Sequence, residues 1–320
     1  MKSRARRILC ICAAWFHCCA LVGASPRVAG APSATVNELL RDFSVANVLH
    51  HIRYLSKVIG IRPAGSDNEK EAAQYIEGEF SKAGYSAVTQ VFGLPGKCHS
   101  RNVIAVHPGA GGEHADDVLI IGAHYDSKAP FSPGADDNAS GVGVLLELAR
   151  SLRDHPLPFT VKFVAFGAEE VIDQHPDHHH YGSRYYVSVY RQTGDQAALI
   201  IGMVSIDMVG KGPYLHARSM GKGDDFLVQT VLRSARRMGL RATYKRDRGW
   251  SDHEPFELIG VPVVWVERRP SPGYHTSGDT YEGINKERLL QAGRLVLHAA
   301  LTLDHSAVRG RAVRSQKWRR

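Results

Sequence analysis

A chain of 320 residues with 43% hydrophobic and 22% charged residues has the composition of a folded globular protein and is too apolar to be disordered. Its formal net charge of +8 sits at the two ends, since residues 1–24 hold four basic residues, 305–320 hold six, and neither segment holds an acid. Without those ten residues, 30 Lys and Arg face 32 Asp and Glu, which excludes a strongly basic nucleic-acid-binding face on the body of the protein.

The first 24 residues have the layout of a secretory signal peptide. Basic residues precede an apolar run from Ile8 to Val22, and the small residues Gly23 and Ala24 follow it. Spanning a membrane takes roughly 20 apolar residues, and this run is shorter. We therefore predict cleavage after residue 24, or as late as residue 31, and a secreted or periplasmic protein with no stable membrane association afterwards.

Strand and helix patterns alternate along the rest of the chain. Buried strands are predicted by apolar runs at 102–106, 117–123, 159–166, 198–206 and 260–266. Helices are predicted by the spacing of apolar residues at 45–59, 68–83, 141–153, 183–193, 224–238 and 285–303. This alternation predicts one α/β domain over residues 32–305, with a mixed, mostly parallel central sheet and helices on both faces. The basic segment 306–320 has little apolar content and is predicted to be disordered.

Acidic and histidine residues follow the predicted strands at five places. They lie in His124-Tyr125-Asp126, Gly134-Ala135-Asp136-Asp137-Asn138, Glu169-Glu170, Asp207 and Tyr274-His275-Thr276. Ligands of open α/β sheets bind outside the carboxyl ends of the strands, so we expect these residues to meet at one edge. Imidazoles and carboxylates with almost no soft ligand suit zinc, or failing that manganese or cobalt. Each of these motifs, taken alone, also has an ordinary structural explanation. Asp136, for example, is a candidate helix cap.

The motifs occur in the same order as in the zinc aminopeptidases of metallopeptidase family 28, which the chain resembles over roughly residues 45–303. The resemblance rests on His124-x-Asp126, Gly134–Gly141, Glu169-Glu170, Ile206-Asp207-Met208, Ser251-Asp252-His253-x-x-Phe256 and Tyr274-His275-Thr276. It implies the zinc-exopeptidase fold and a hydrolase whose substrates are peptides with a free amino terminus.

The resemblance also implies which residues bind metal. His124 and Asp207 would bind one zinc ion, and Glu170 and His275 would bind a second. Asp137, the second acid of its pair, would bridge the two ions. Two zinc ions roughly 3.5–4 Å apart share a water molecule, lower its pKa and polarise the scissile carbonyl.

Three further residues would act around the metal ions. Glu169 would be the general base and no ligand, taking the proton from the water that becomes a metal-bridging hydroxide. Asp126 would accept a hydrogen bond from the far nitrogen of His124 and fix its tautomer. Tyr274 would donate a hydrogen bond to the developing oxyanion. The chemistry that follows is hydrolysis of an amide bond.

The chain departs from the family pattern after the glutamate pair. A Gly-Ser-x-x-Tyr helix start usually follows that pair closely, whereas here Gly182–Tyr186 comes after an insertion, Val171–His180. The histidines of the insertion are His175, His178, His179 and His180. We interpret the insertion as a solvated surface loop, with two alternatives left open: it lines the substrate entrance, or it gathers zinc.

Other functions are compatible with the same motifs. Animal-type glutaminyl cyclases, which use one zinc, are similar at His124–Lys128 and 252–256, but they place tryptophan where this chain has Tyr274 and lack the Asp-Asn-x-Ser-Gly form of residues 137–141. A carboxypeptidase or dipeptidase variant normally carries an arginine-rich pocket, for which the sequence offers no candidate. An inactive binding scaffold would have lost ligands, whereas this chain retains all five and the base.

Overall fold

A mixed sheet forms the centre of the protein, which the computed structural model describes over residues 35–173, 175, 178–192 and 198–317. The predicted signal peptide at residues 1–24 lies outside those residues. Within them, the strands are β1 (Val88–Gly93), β2 (His99–His107), β3 (Val118–His124), β4 (Thr160–Phe166), β5 (Ile200–Ile206), β6 (Tyr214–Ser219), β7 (Ala242–Arg246) and β8 (Val263–Arg269).

Four parallel strands occupy the middle of this sheet. The spatial order is β1-β2-β4-β3-β5-β8-β6-β7, and β4, β3, β5 and β8 run parallel to one another. On either side, β2 and β6 pair antiparallel with the parallel block. Every residue of β3 and β5 is buried, as expected for strands that are covered on both faces. The predicted α/β fold with a mixed, mostly parallel sheet is confirmed.

Helices pack on both faces of the sheet. They are α1 (Val36–Asp42), α2 (Val45–Arg53), α3 (Asp67–Lys82), α4 (Gly141–Leu152), α5 (Tyr181–Gln192), α6 (Phe226–Arg237), α7 (His253–Leu258), α8 (Lys286–Leu301) and α9 (His305–Lys317). Leu119 and Ile121 of β3 belong to the core that includes α2, α4 and α8. Val118 and Ile120 point the other way, into a smaller core with α5 and α7. None of the described helices has the length and apolar composition that a membrane span requires.

The segment after residue 305 is a helix, and our prediction of disorder is wrong for its described part. Val308 and Ala312 of α9 are buried, and the side-chain amide of Gln316 donates to the carbonyl of Ile200 at 2.8 Å. Arginines of the same helix form ion pairs with acids of the domain, as at Arg309, whose Nε lies 2.8 Å from Asp117. The buried positions are four residues apart, so the helix has a packing face despite its basic composition.

Candidate metal centre and active site

The five predicted metal ligands come together at the carboxyl edge of the parallel strands. His124 ends β3, Asp207 directly follows β5, and Glu170 comes shortly after β4. Asp137 lies in the turn that leads into α4, and His275 lies in the loop after β8. This is the edge at which open α/β sheets bind their ligands.

Asp137 stands between two groups of potential ligand atoms. Its Oδ1 lies 3.3 Å from His124 Nε2, and that nitrogen lies 3.5 Å from Asp207 Oδ1. Its Oδ2 lies 3.2 Å from His275 Nε2, which is also 3.2 Å from Glu170 Oε1. Within each group, the ligand atoms lie within 4.8 Å of one another. Asp137 is shared by both groups, which is the arrangement that a bridging ligand requires.

Buried atoms without partners show that these residues fit metal ions. Asp137 Oδ2, Glu170 Oε1 and Asp207 Oδ1 are buried and have no hydrogen-bond partner in the described part of the chain, a costly state unless a cation is bound. Burial and, to a smaller extent, the neighbouring Asp137 carboxylate raise the pKa of Glu170 to about 8. Burial also raises the pKa of Asp207. A divalent cation would favour the ionised form of both groups, and two imidazoles with three carboxylates suit zinc.

Glu169 lies beside the two groups and belongs to neither. Its Oε2 is 3.9 Å from His124 Nε2, and its side chain lines the same cleft as the other four predicted ligands. We use "cleft" for the depression lined by Asp137, Glu169, Glu170, Val171, His179, His180, Asp207, Met208, Trp250, Tyr274 and His275. Glu169 is therefore close enough to act on a molecule held by the ligands without being one of them.

Asp126 lies between the far nitrogen of His124 and the glutamate pair. Its two carboxylate oxygens accept hydrogen bonds from the backbone N–H groups of Glu169 and Glu170, at 3.0 and 3.1 Å. Its Oδ1 lies 3.5 Å from His124 Nδ1, and among the described residues that nitrogen has no hydrogen-bond partner. The carboxylate thus faces both the far nitrogen of His124 and two backbone amides, and its hydrogen bond to His124 stays a prediction. Asp126 fixes the backbone of the glutamate pair.

Tyr274 lies at the mouth of the cleft with 40% of its surface exposed. Its ring stacks on His275, with ring centroids 3.7 Å apart, and the Arg269 guanidinium lies 4.6 Å from the ring centre. Partial burial and the carboxylates of Asp137 and Glu170 raise the pKa of its phenol. The phenol therefore stays protonated and able to donate a hydrogen bond.

Asp136 holds the loops that carry the ligands and does not cap α4. Its carboxylate accepts hydrogen bonds from the Gly210 amide at 2.7 Å and from the Ser271 hydroxyl at 2.5 Å. Gly210 belongs to the loop after β5, and Ser271 belongs to the loop after β8. The Asp279 carboxylate accepts from the backbone N–H groups of Asp136 and Asp137, at 2.9 and 3.0 Å. These bonds set the relative positions of three ligand-bearing loops.

A family model matches this sheet edge together with most of the strands and helices that build it. The model of peptidase family M28 matches residues 102–300, well over half of the chain. The chain belongs to peptidase family M28.

Two of the curated relatives are an aminopeptidase and a leupeptin-inactivating enzyme by name. The chain is 34% identical over 210 residues to aminopeptidase YwaD of Bacillus subtilis (strain 168), a match that covers 62% of this chain and 44% of that protein. It is 30% identical over 254 residues to leupeptin-inactivating enzyme 1 of Streptomyces exfoliatus, covering 76% of this chain and 52% of that protein. The chain therefore spans about half the length of these two relatives.

Solved structures of two aminopeptidases share the fold. The zinc aminopeptidase BSAP from Bacillus subtilis superposes with a TM-score of 0.72 at 22% identity, over 80% of this chain and 94% of that one. The aminopeptidase from Aneurinibacillus sp. strain AM-1 superposes with a TM-score of 0.73 at 21% identity, over 83% of this chain and 95% of that one. At such identities the likeness establishes the architecture alone.

The insertion after the glutamate pair of this M28 protein reaches the cleft. His175 is exposed, but His179 is half-buried, His180 is buried, and both line the cleft. The interpretation of the insertion as a solvated surface loop is therefore wrong for its last two residues. Because they line the cleft, the structure favours the alternative in which the insertion lines the entrance.

The Ser251-Asp252-His253 motif does not form a hydrolase triad. The Ser251 hydroxyl lies 2.9 Å from the Ser205 hydroxyl, and His253 stacks on Trp265 with ring centroids 5.5 Å apart. Burial lowers the pKa of His253 to about 3, so its ring is neutral. The motif packs behind the metal groups and contributes no nucleophile.

Arg62 is a fully buried cation that the sequence analysis did not identify. Its guanidinium donates to the carbonyl oxygens of Tyr125, Pro133 and Gly134, at 2.6, 2.6 and 2.8 Å. Burial lowers the pKa of Arg62 to about 10, which still leaves it charged. Arg62 therefore joins the segment after β3 to the turn that carries Asp137.

We expect Arg62→Met to lower the free energy of unfolding by about 2–5 kcal/mol, because it leaves several buried carbonyl groups without donors. Urea unfolding of the metal-free protein measures this directly. The exposed Arg53 provides a matched control, and Arg53→Met should change stability by less than about 0.5 kcal/mol. Equal stability of the two variants would show that the Arg62 bonds do not hold the turn.

Proposed function

We propose that this M28 protein is an aminopeptidase that uses two zinc ions to hydrolyse the first peptide bond of peptides with a free amino terminus. The observation that carries the proposal is the pair of ligand groups sharing Asp137, three of whose buried oxygens lack partners among the described residues. Aminopeptidase names among the relatives support the same activity.

Five residues would hold the metal ions. His124 and Asp207 would bind one ion, Glu170 and His275 the other, and Asp137 would bind both. Bound there, the ions would polarise the scissile carbonyl and lower the pKa of a water molecule. The hydrogen bonds from the Glu169 and Glu170 amides to the buried Asp126 would keep the glutamate backbone fixed as ligands bind.

Glu169 would move the proton. It lines the cleft without belonging to either ligand group, so its carboxylate is available to accept a proton from water and deliver it to the leaving amine. Tyr274, whose phenol is protonated, would donate a hydrogen bond to the oxygen on which negative charge develops. The chain thus supplies a base, Glu169, and a hydrogen-bond donor, Tyr274, in the same cleft.

The lining of the cleft favours an aminopeptidase over a carboxypeptidase or dipeptidase. Among the described residues that line it there is no Arg or Lys, the side chains that would receive the carboxylate at the end of a substrate. Export through residues 1–24 is part of the same proposal, and N-terminal sequencing of the secreted protein would test it.

We expect the zinc-loaded mature protein to remove residues stepwise from peptides with free Leu, Arg or Gln amino termini, with different rates for each. Mass spectrometry of the peptide pool would follow the reaction. An acetylated peptide should stay intact because its amine is blocked, and a chelator should stop all cleavage until zinc is returned. Loss of ammonia from the Gln peptide alone would replace this proposal with a glutaminyl cyclase.

A further inference from the structure

His180 lies between two carboxylates and closes the insertion onto the glutamate pair. Its ring Nε2 is 2.9 Å from Glu169 Oε1, and its Nδ1 is 3.0 Å from Glu254 Oε2 on α7. Its backbone N–H also donates to the Glu169 carbonyl at 2.8 Å. Only 2% of the residue is exposed. The insertion therefore returns to Glu169 through both a backbone and a side-chain hydrogen bond.

The two oxygens of Glu169 face different partners. Oε1 accepts the hydrogen bond from His180, whereas Oε2 faces the metal-ligand groups and lies 3.9 Å from His124 Nε2. A glutamate side chain has three rotatable bonds, so one anchored oxygen fixes the direction of the other. The anchored oxygen is on the side of the insertion, and the other is on the side where a substrate would be hydrolysed.

The His180 ring is itself held in place. A neutral imidazole donates from only one nitrogen, so hydrogen bonds to both Glu169 and Glu254 require the protonated ring. Burial lowers the pKa of His180, but the two carboxylates more than offset this and raise it to about 9. Glu254 thus supports the donor that Glu169 receives.

His179, His180 and Glu254 are not arranged as a further metal site. Ligand atoms of His179, His180 and Glu254 lie within 4.8 Å of one another. However, the Arg184 guanidinium lies 3.3 Å from His179 Nε2 and 3.5 Å from Glu254 Oε2. A metal ion there would meet this positive charge and would have to displace the hydrogen bond between His180 Nδ1 and Glu254. The contacts favour a hydrogen-bonded support over a third metal ion.

We propose that His180 is a positioning residue that anchors one oxygen of Glu169 and directs the other toward the substrate, with Glu254 holding the ring. This rests on the proposed role of Glu169 as the general base. Catalytic groups must be held within a fraction of an ångström, and a displacement of about 1 Å costs roughly 10²-fold in rate. The insertion then serves catalysis through its last residue, although the residue touches no reacting atom.

We expect His180→Ala to lower kcat by about 10–100-fold with KM nearly unchanged, because the proton acceptor is misdirected while substrate binding remains. Zinc content should stay at the wild-type level. His180→Gln should recover part of the loss, since its amide N–H reaches the place of Nε2. Both variants keep a non-glycine residue at a φ of 54°, so the backbone cost is the same in each. His178→Ala, in the same insertion and paired with Asp173, is the matched control and should retain wild-type kcat.

A double-variant cycle separates positioning from a general structural effect. In a Glu169→Ala background, His180→Ala should cause no further loss of kcat, because the residue it acts through is gone. If the losses multiply instead, or if the Ala and Gln variants are equally slow, the proposal is wrong. Should His180→Ala fail to fold, Glu254→Ala takes its place in the cycle, with the same expected absence of further loss.

Crystal structures of the metal-free wild type and His180→Ala variant give a readout that does not depend on activity. We expect one Glu169 conformation in the wild type and a displaced or multiple one in the variant. An unchanged Glu169 in the variant would overturn the positioning role. If the wild type hydrolyses no peptide, the proposed function fails while this structural comparison still decides the role of His180.

Discussion

Glu169→Gln is expected to lower kcat by about 10²–10⁴-fold while the zinc content stays at the wild-type level. The glutamine side chain has the same shape, and its amide oxygen can still accept the hydrogen bond from His180 Nε2. Unlike the carboxylate, however, the amide does not take up a proton. Because Glu169 lies outside both ligand groups, its loss should leave the metal ions in place. Steady-state kinetics on a cleaved peptide, together with metal analysis of the same sample, measures both quantities.

The adjacent carboxylate provides the control. Glu170→Gln changes the same chemical group one residue later, but Glu170 Oε1 lies 3.2 Å from His275 Nε2 within a ligand group. We expect this variant to lose metal as well as activity. If Glu169→Gln also releases metal, or retains more than about a tenth of the wild-type kcat, Glu169 is not a base acting beside the metal ions.

The strand-end pattern predicts the ligand set because parallel strands bring their carboxyl ends to one edge whatever the loops do. His124, Asp207 and Glu170 are placed by β3, β5 and β4, and each strand has an apolar run that is visible in the sequence. The edge strands β1 and β7 lack such a run, since most of their residues are exposed, and they were not predicted.

Residues that support the site could not be predicted in the same way. The position of Arg62 depends on which carbonyl groups turn inward between β3 and α4, and sequence spacing does not report this. The contact between His180 and Glu254 joins an insertion to a helix 74 residues away. Two signals were available: His180 directly precedes the helix start at Tyr181, and Glu254 directly follows the Ser251-Asp252-His253 motif.

The helix α9 shows how composition can hide packing. Arg309 and Arg311 give the segment its basic character, but their charges are compensated by Asp117 and Asp224 of the domain. The buried residues Val308 and Ala312 are one helical turn apart and form the packing face, and the two arginines lie between them in the sequence. A tail rich in arginine is thus compatible with a docked helix when acids of the domain lie opposite it.

Asp137→Asn is expected to abolish the thermal stabilisation that zinc confers, together with activity. In the wild type, a ligand at 1,000 times its Kd stabilises the folded state by about 4 kcal/mol. Asp137 offers one oxygen to each ligand group, at 3.3 Å from His124 and 3.2 Å from His275, so its loss weakens both sites at once. Thermal unfolding with chelator and with zinc, and metal analysis, would measure the effect.

The zinc-induced shift, and not the stability of the metal-free protein, distinguishes a ligand from a structural acid. Burial raises the pKa of Asp137, but His124 and His275 more than offset this and lower it, so its neutralisation removes a favourable interaction from the metal-free protein as well as a ligand from the metal ions. Asp136→Ala should also lower metal-free stability, because the Gly210 amide and the Ser271 hydroxyl lose their acceptor, but it should keep the zinc shift. A wild-type zinc shift in Asp137→Asn would remove Asp137 from the metal centre. A zinc shift that is lost in Asp137→Asn and kept in Asp136→Ala would assign the first acid to the metal ions and the second to the loops that position them.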